Sequence, residues 1–234
     1  MNKTEKNAGW IAGISLIIMS LAAGFSYGYV QHKLLNTSVE ITRQNVIENK
    51  YLFFAGLAGW MVILISDLIV AGALYVFFKS ILSRLSLLTA LIRIAYTLVL
   101  GVAVYQLFGI LLLLHERGTA HEISSHLASF EKIWSVGLIV FGFHLLGLGY
   151  LSMTSRHIPW LLSYLLYLAG LSYVLIHSGK TFALFHPQVI DSAEKILALP
   201  MALSEIMLAV WLIYKAWKPD NLSKVSQSST IKIV

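Results

Sequence analysis

The chain of 234 residues contains no cysteine. That absence excludes a disulfide scaffold, thiolate catalysis, Cys-ligated zinc and iron–sulfur clusters. Charge is scarce as well, at 12% of residues against the roughly 25% of a soluble domain. The 17 basic residues outnumber the 11 acidic ones but gather into no single patch, which argues against a nucleic-acid partner. What fills the chain instead is apolar: 58% of residues are hydrophobic and the mean hydropathy is +0.77, values that exclude both a disordered chain and an ordinary soluble globule.

A bilayer core about 30 Å thick needs roughly 20 helical residues. Six apolar runs are near or above that length: Gly9 to Val30, Tyr51 to Phe78, Leu85 to Leu114, Ile133 to Met153, Trp160 to Ile176 and Pro200 to Trp217. They are continuous and lack the period-two alternation of a membrane barrel, so strands are not expected. The predicted fold is all-α: an integral-membrane six-helix bundle forming a single domain over residues 1–218, with amphipathic helices in its long outer loops. The Ser- and Lys-rich residues 219–234 read as a disordered cytoplasmic tail.

The first run follows Lys3 and Lys6 and has the small residues of a secretory signal at Ala22, Ala23 and Gly24. Its length and the five runs behind it predict an uncleaved first span. Two small-xxx-small pairs, Gly9 with Gly13 and Gly24 with Gly28, predict close packing of a neighbouring helix. Basic residues set the orientation. The side holding both termini carries nine (Lys3, Lys6, Lys79, Arg84, Arg156, Lys215, Lys218, Lys224, Lys232) against Glu5 and Asp220, whereas the opposite side balances seven against seven. The chain is therefore expected in the cell membrane, surrounded by membrane lipids, with both termini cytoplasmic.

The cytoplasmic connections, Lys79 to Arg84 and Thr154 to Pro159, are short and predict antiparallel neighbours. The outer ones are longer and carry helical patterns. Ile123, Leu127, Phe130 and Trp134 form one; Val189, Ala193, Ile196 and Leu197 form a second after Pro187; Val39, Val46 and Ile47 form a third after the capping candidates Asn36, Thr37 and Ser38. Trp10, Tyr29, Tyr51, Trp134, Trp160 and Trp217 sit near span ends as interfacial anchors would.

A charge inside the bilayer costs several kcal/mol unless it is paired or hydrated, so the embedded ionisable residues are the candidate site. They are Asp67, Arg93, His144 and Glu205. Counted from the cytoplasmic helix ends at about 1.5 Å per residue, their depths are about 18, 12, 15 and 18 Å, one layer drawn from four helices. Asp67 and Arg93, on adjacent antiparallel helices, are natural partners. Thr89, Tyr96 and Thr97 stand at helical offsets from Arg93 that can extend its network. Glu205 lacks a cation of its own and must share Arg93, bond His144, face water or be protonated. Gln106 points about 140° away from Arg93 around its helix.

The outer stretch LHERGTAHEISSH contains His115, His121, Glu122 and His126. Its histidines at 121 and 126 are five apart and not four, so H-E-x-x-H fails and these residues read as solvated surface, with no metal. No G-x-S-x-G, P-loop or G-x-G-x-x-G occurs at a strand-to-helix turn, and no cofactor is implied.

The stretches SDLIVAGALYVFFKSILSRLSLLTALIRIAY, GLIVFGFHLLGLGYLSMTSRHIPWLLSYLLYLAGLSYVL and LPMALSEIMLAVWLIYKAW, with the opening NKTEKNAGWIAGISLII, resemble a bacterial multi-pass membrane family labelled domain of unknown function 4386. The resemblance rests on Asp67, Arg93, the segment His144 to Tyr150, Arg156 to Pro159, and Pro200 with Glu205. One departure is Trp160, where that pattern has a small polar or basic residue. It implies a multi-pass fold and no activity.

Three functions are compatible with such a layer. The foremost is a non-catalytic membrane module whose polar groups specify packing. The alternatives are a small proton-coupled transporter, or a lipid- or isoprenoid-modifying enzyme using His144 and Glu205 as acid and base and Arg93 to hold an anionic headgroup. Motif content leans against an enzyme, and a small hydrophobic or anionic ligand fits the second and third readings.

Overall fold

The computed structural model describes residues 1–35, 38–115, 119–155 and 158–218, without the side chains of 114 and 115. The described residues are helical almost throughout and contain no strand. Helix α1 is Lys3–Leu34, α2 Val39–Glu48, α3 Lys50–His115, α4 Ala120–Thr154, α5 Trp160–Phe182 and α6 Pro187–Trp217. Five of them, all but α2, are long and apolar enough to cross a membrane by length and composition.

The 66 residues of α3 do not form one rod, because Leu82 leaves helical geometry at φ −142° and ψ 87°. Arms 50–81 and 83–115 fold back on each other, tied across the break by the Ser86 hydroxyl donating to the Tyr75 carbonyl at 3.0 Å. The expected Lys79 to Arg84 turn is thereby reduced to a single non-helical residue. α1 packs on the first arm and on α6, the second arm on α4, α4 on α5, and α5 on α6, closing a ring.

Capping fixes where the helices start. Asn2 and Glu5 form a capping box on α1, and Thr119 and Glu122 form another on α4. The Ser38 hydroxyl accepts from Ile41 N at 3.5 Å to open α2, whereas Asn36 and Thr37 lie outside the described residues, as do Arg156 and the tail 219–234. Helix α5 stops at Ala183, in the left-handed region at φ 50°.

Two of the outer amphipathic stretches are not separate helices. Residues 120–132 continue into α4, and residues 187–199 continue through Pro200 into α6. No breaker separates the first from its span, and a proline inside a packed helix is tolerated when neighbours hold it. In the second stretch the inward face differs from the expected one: Val189 and Ile196 are exposed, while Ile190 is buried and Leu197 packs beside it, against α5. In α2 only Val46 of the three pattern residues is buried. Trp134 is no interfacial anchor, since its ring sits edge-on to Tyr27 at 4.8 Å and to Trp60 at 5.3 Å inside the bundle.

The glycine pairs of α1 divide. A Cβ at Gly13 would lie 2.6 Å from Ile213 Cγ1 and 2.9 Å from the Ala209 carbonyl, and one at Gly9 would touch Phe77, so this pair packs as expected. Gly24 and Gly28 have no neighbour within 4 Å; they belong to a π-helical stretch, Gly24–Gln31, beside open space. The closest approach of a glycine to another helix's backbone joins α4 to α5, where a Cβ on Gly142 would lie 2.8 Å from the Gly170 carbonyl and one on Gly170 would lie 2.9 Å from that of Gly142. Backbone cannot move aside as a side chain can. Gly142→Ala is expected to destabilise the protein by about 1–3 kcal/mol in detergent melts, whereas Gly72→Ala, with open space around its Cβ, should not. Equal melting temperatures for the two variants would refute that close contact.

Candidate functional site

Arg93 is the largest fully buried side chain among the described residues, at 0% exposure. Its guanidinium has five N–H groups and no acceptor, so burial is tolerable only if each donor is met. Each is. Nε donates to Asp67 Oδ1 at 2.9 Å and Nη2 reaches the same oxygen at 2.6 Å. Nη1 donates to Glu205 Oε1 at 2.8 Å and faces His144 Nε2 at 3.1 Å. The remaining Nη2 proton points to Met19 Sδ at 3.3 Å, and the Phe141 ring lies 5.4 Å from the guanidinium carbon. Four segments thus converge on the cation carried by the second arm of α3: α1, the first arm of α3, α4 and α6.

This contact assigns the imidazole tautomer. An arginine N–H can only donate, so His144 Nε2 accepts; the ring proton is then on Nδ1, which donates to the Thr89 carbonyl at 2.9 Å. The ring is the neutral form in this geometry. Gly147 makes the approach possible, because a Cβ there would stand 2.7 Å from Thr89 Oγ1. Of its four options Glu205 takes the shared Arg93, with 13% of its side chain exposed on the side of an adjoining cavity.

The supporting residues behave differently from their expected roles. Thr89 and Thr97 turn their hydroxyls onto their own helix, to the carbonyls of Leu85 and Arg93 at 2.8 and 2.9 Å. Only the Thr89 carbonyl joins the network. Tyr96 packs on Phe141, ring centres 4.8 Å apart. Gln106 does face elsewhere: its Oε1 is 3.0 Å from Nδ1 of His126, which is half-buried against α3 and so is not the solvated surface residue expected. Glu122 is engaged in its capping box, and no three His, Asp or Glu side chains among the described residues come close enough to hold a metal ion.

Next to the network lies a cavity of about 860 Å³. Asp67 and Glu205 line one end; Glu131, Lys132, Lys180 and Glu194 line the other, where Lys180 and Glu194 are ion-paired at 2.7 Å and partly exposed. Its walls are aromatic, with Tyr27, Trp60, Tyr96, Trp134, Phe141 and Tyr173, and Gly24 and Gly28 border it on the α1 side. Ser135 and His177 also line it, joined Oγ to Nδ1 at 3.0 Å. Neither Arg93 nor His144 reaches the cavity surface. Asp67 Oδ2, by contrast, has no hydrogen-bond partner although the residue is 1% exposed. Met19, His177 and the aromatic wall carry no signal in the sequence, since in an apolar helix they read as ordinary core residues.

Long apolar helices closed around one fully coordinated buried arginine define a class: a helical bundle whose helices fit a membrane. Within that class the chain belongs to the family described as Domain of unknown function (DUF4386), whose profile matches residues 11–216. A relative from Archaeoglobus fulgidus, described as an uncharacterized protein, is 26% identical over 162 residues, covering 69% of this chain and 84% of its own. No solved structure matches the chain.

Proposed function

We propose that the protein is a non-catalytic six-span membrane module that binds a small ligand in its cavity. The two arms of α3 count as separate crossings in this reading, and the excess of basic residues beside both termini puts those termini in the cytoplasm and the cavity mouth outside. Residues 1–218 act as one domain. The observation that carries the reading is the cavity itself, of the size of small-molecule sites and mostly apolar, with Asp67 Oδ2 unpartnered at its inner end. The Arg93 network forms its floor and holds four helix segments in register. Arg93 turns its donors toward Asp67, Glu205, His144 and Met19 and stays off the cavity surface, and His144 is shut away from the cavity, which weighs against the lipid- or isoprenoid-modifying alternative.

A chain without cysteine allows a test free of background. Ser20→Cys places a thiol on the cavity wall, and Ser163→Cys places one at a fully buried position away from it. A membrane-impermeant cationic methanethiosulfonate added outside intact cells is expected to label the first and spare the second. Labelling of Ser20→Cys only in inverted vesicles would reverse the orientation; no labelling from either side would remove the water-accessible cavity.

A further inference from the structure

We infer that the cavity takes an organic cation bearing N–H donors, a protonated amine on an apolar or aromatic body, with its ammonium group at Asp67 Oδ2 beside Glu205. The inference rests on the reading of the cavity as a ligand site and adds its chemical class. The argument is a donor and acceptor count. Two carboxyl groups border the inner end, Asp67 almost fully buried and Glu205 partly exposed, while the one cation between them is withdrawn from the cavity surface with four hydrogen bonds made and its remaining N–H in ion-pair contact with Asp67. At this end an incoming anion therefore meets carboxyl oxygens and no free guanidinium donor; the unpartnered buried donor on a lining residue, Trp134 Nε1, belongs to the aromatic wall and carries no charge. A ligand with N–H groups meets an acceptor that the protein leaves unsatisfied.

Burying an acceptor without a partner is costly, and the cost is relieved only by a donor. A quaternary ammonium has none, and a neutral alcohol has a donor but no charge to set against the surplus carboxyl group. A bare inorganic cation is a poor fit, because the space is far larger than an ion and no three ligating carboxylate or imidazole groups converge among the described residues. The walls suit the rest of the molecule: Tyr27, Trp60, Trp134 and Tyr173 offer ring faces to an apolar body and to the cation. At the mouth, Glu131 and Glu194 balance Lys132 and Lys180, so entry carries no charge barrier of one sign. The same N–H cation can come from a water-borne amine or from an aminolipid headgroup.

The test uses the full chain in nanodiscs and four probes sharing one body: phenethylammonium, trimethyl(2-phenylethyl)ammonium, 2-phenylethanol and 3-phenylpropionate. Binding is read by calorimetry and by the change in intrinsic tryptophan fluorescence, to which Trp60 and Trp134 of the cavity wall contribute. Phenethylammonium is expected to bind saturably and at least about tenfold more tightly than the other three, the usual effect of one charge-assisted hydrogen bond. Gly24→Trp, which fills open space beside the cavity, should abolish that binding, and Glu205→Gln, which keeps an acceptor for Arg93, should weaken it about tenfold. Equal affinity for the alcohol or the quaternary ammonium, or a preference for phenylpropionate, overturns the N–H cation while leaving a ligand cavity in place. No saturable binding of any probe overturns the inference even where Ser20→Cys is labelled from outside, so the two readings fail separately. Nanodiscs of phosphatidylethanolamine and phosphatidylcholine separate the sources: equal phenethylammonium affinity assigns the site to a water-borne amine, lower affinity in phosphatidylethanolamine to the lipid headgroup, and either result supports the N–H cation.

Discussion

Arg93→Met is expected to cost about 3–5 kcal/mol of stability in detergent, a large part of what an average domain possesses. The loss has little to do with the volume of the side chain, which methionine nearly matches. It comes from stranding what the guanidinium now satisfies: Asp67 Oδ1, Glu205 Oε1, His144 Nε2 and Met19 Sδ. Asp67 is the worst placed of these, at 1% exposure, whereas Glu205 borders the cavity and can be hydrated there. The double variant Asp67→Leu with Arg93→Met is accordingly expected to recover much of the loss, because it removes both buried charges together. Unfolding of the two single variants and the double one completes the cycle, and strictly additive losses would mean that the pair carries no coupling energy.

His144→Leu is expected to cost about 2–4 kcal/mol, since it leaves one Arg93 proton without an acceptor and the Thr89 carbonyl without its second donor. His144→Gln carries an amide oxygen and an amide N–H and should recover part of that stability, which no merely apolar replacement would do. Nitrogen NMR of ring-labelled protein gives an independent reading: at neutral pH Nδ1 should be the protonated nitrogen and Nε2 the bare one. The opposite tautomer would mean that Arg93 does not donate to this ring.

Much of the bundle is legible in the chain. Apolar runs of membrane length can hydrogen-bond their backbone only as helices, so the long helices follow from composition and run length. The four embedded ionisable residues are legible for the same reason, because a lone charge in such a run is costly and therefore conspicuous. Partner choice is less so. That Glu205 shares the arginine of Asp67 depends on where α6 stands in the ring, and no spacing along the chain states it. Thr89 and Thr97 illustrate the limit in the other direction: their offsets from Arg93 are right, yet their hydroxyls satisfy their own helix, the local option always open to a threonine.

The equivalence of small residues misleads in the same way. Gly9 with Gly13 and Gly24 with Gly28 have identical spacing, but the first pair meets α6 and the second borders empty space. Likewise Trp134 stands where an interfacial anchor would, and packs inside against Trp60 and Tyr27. Local pattern thus determined the helical class, the membrane-length runs and the identity of the buried charges, since each follows from the cost of placing a residue type in an apolar helix. The tertiary structure alone decided that one arginine serves two carboxyl groups and an imidazole, that Asp67 keeps an unpartnered oxygen, and that a cavity lies above them. Those outcomes depend on distances between helices, and such distances are set by side-chain packing across the ring rather than by order along the chain.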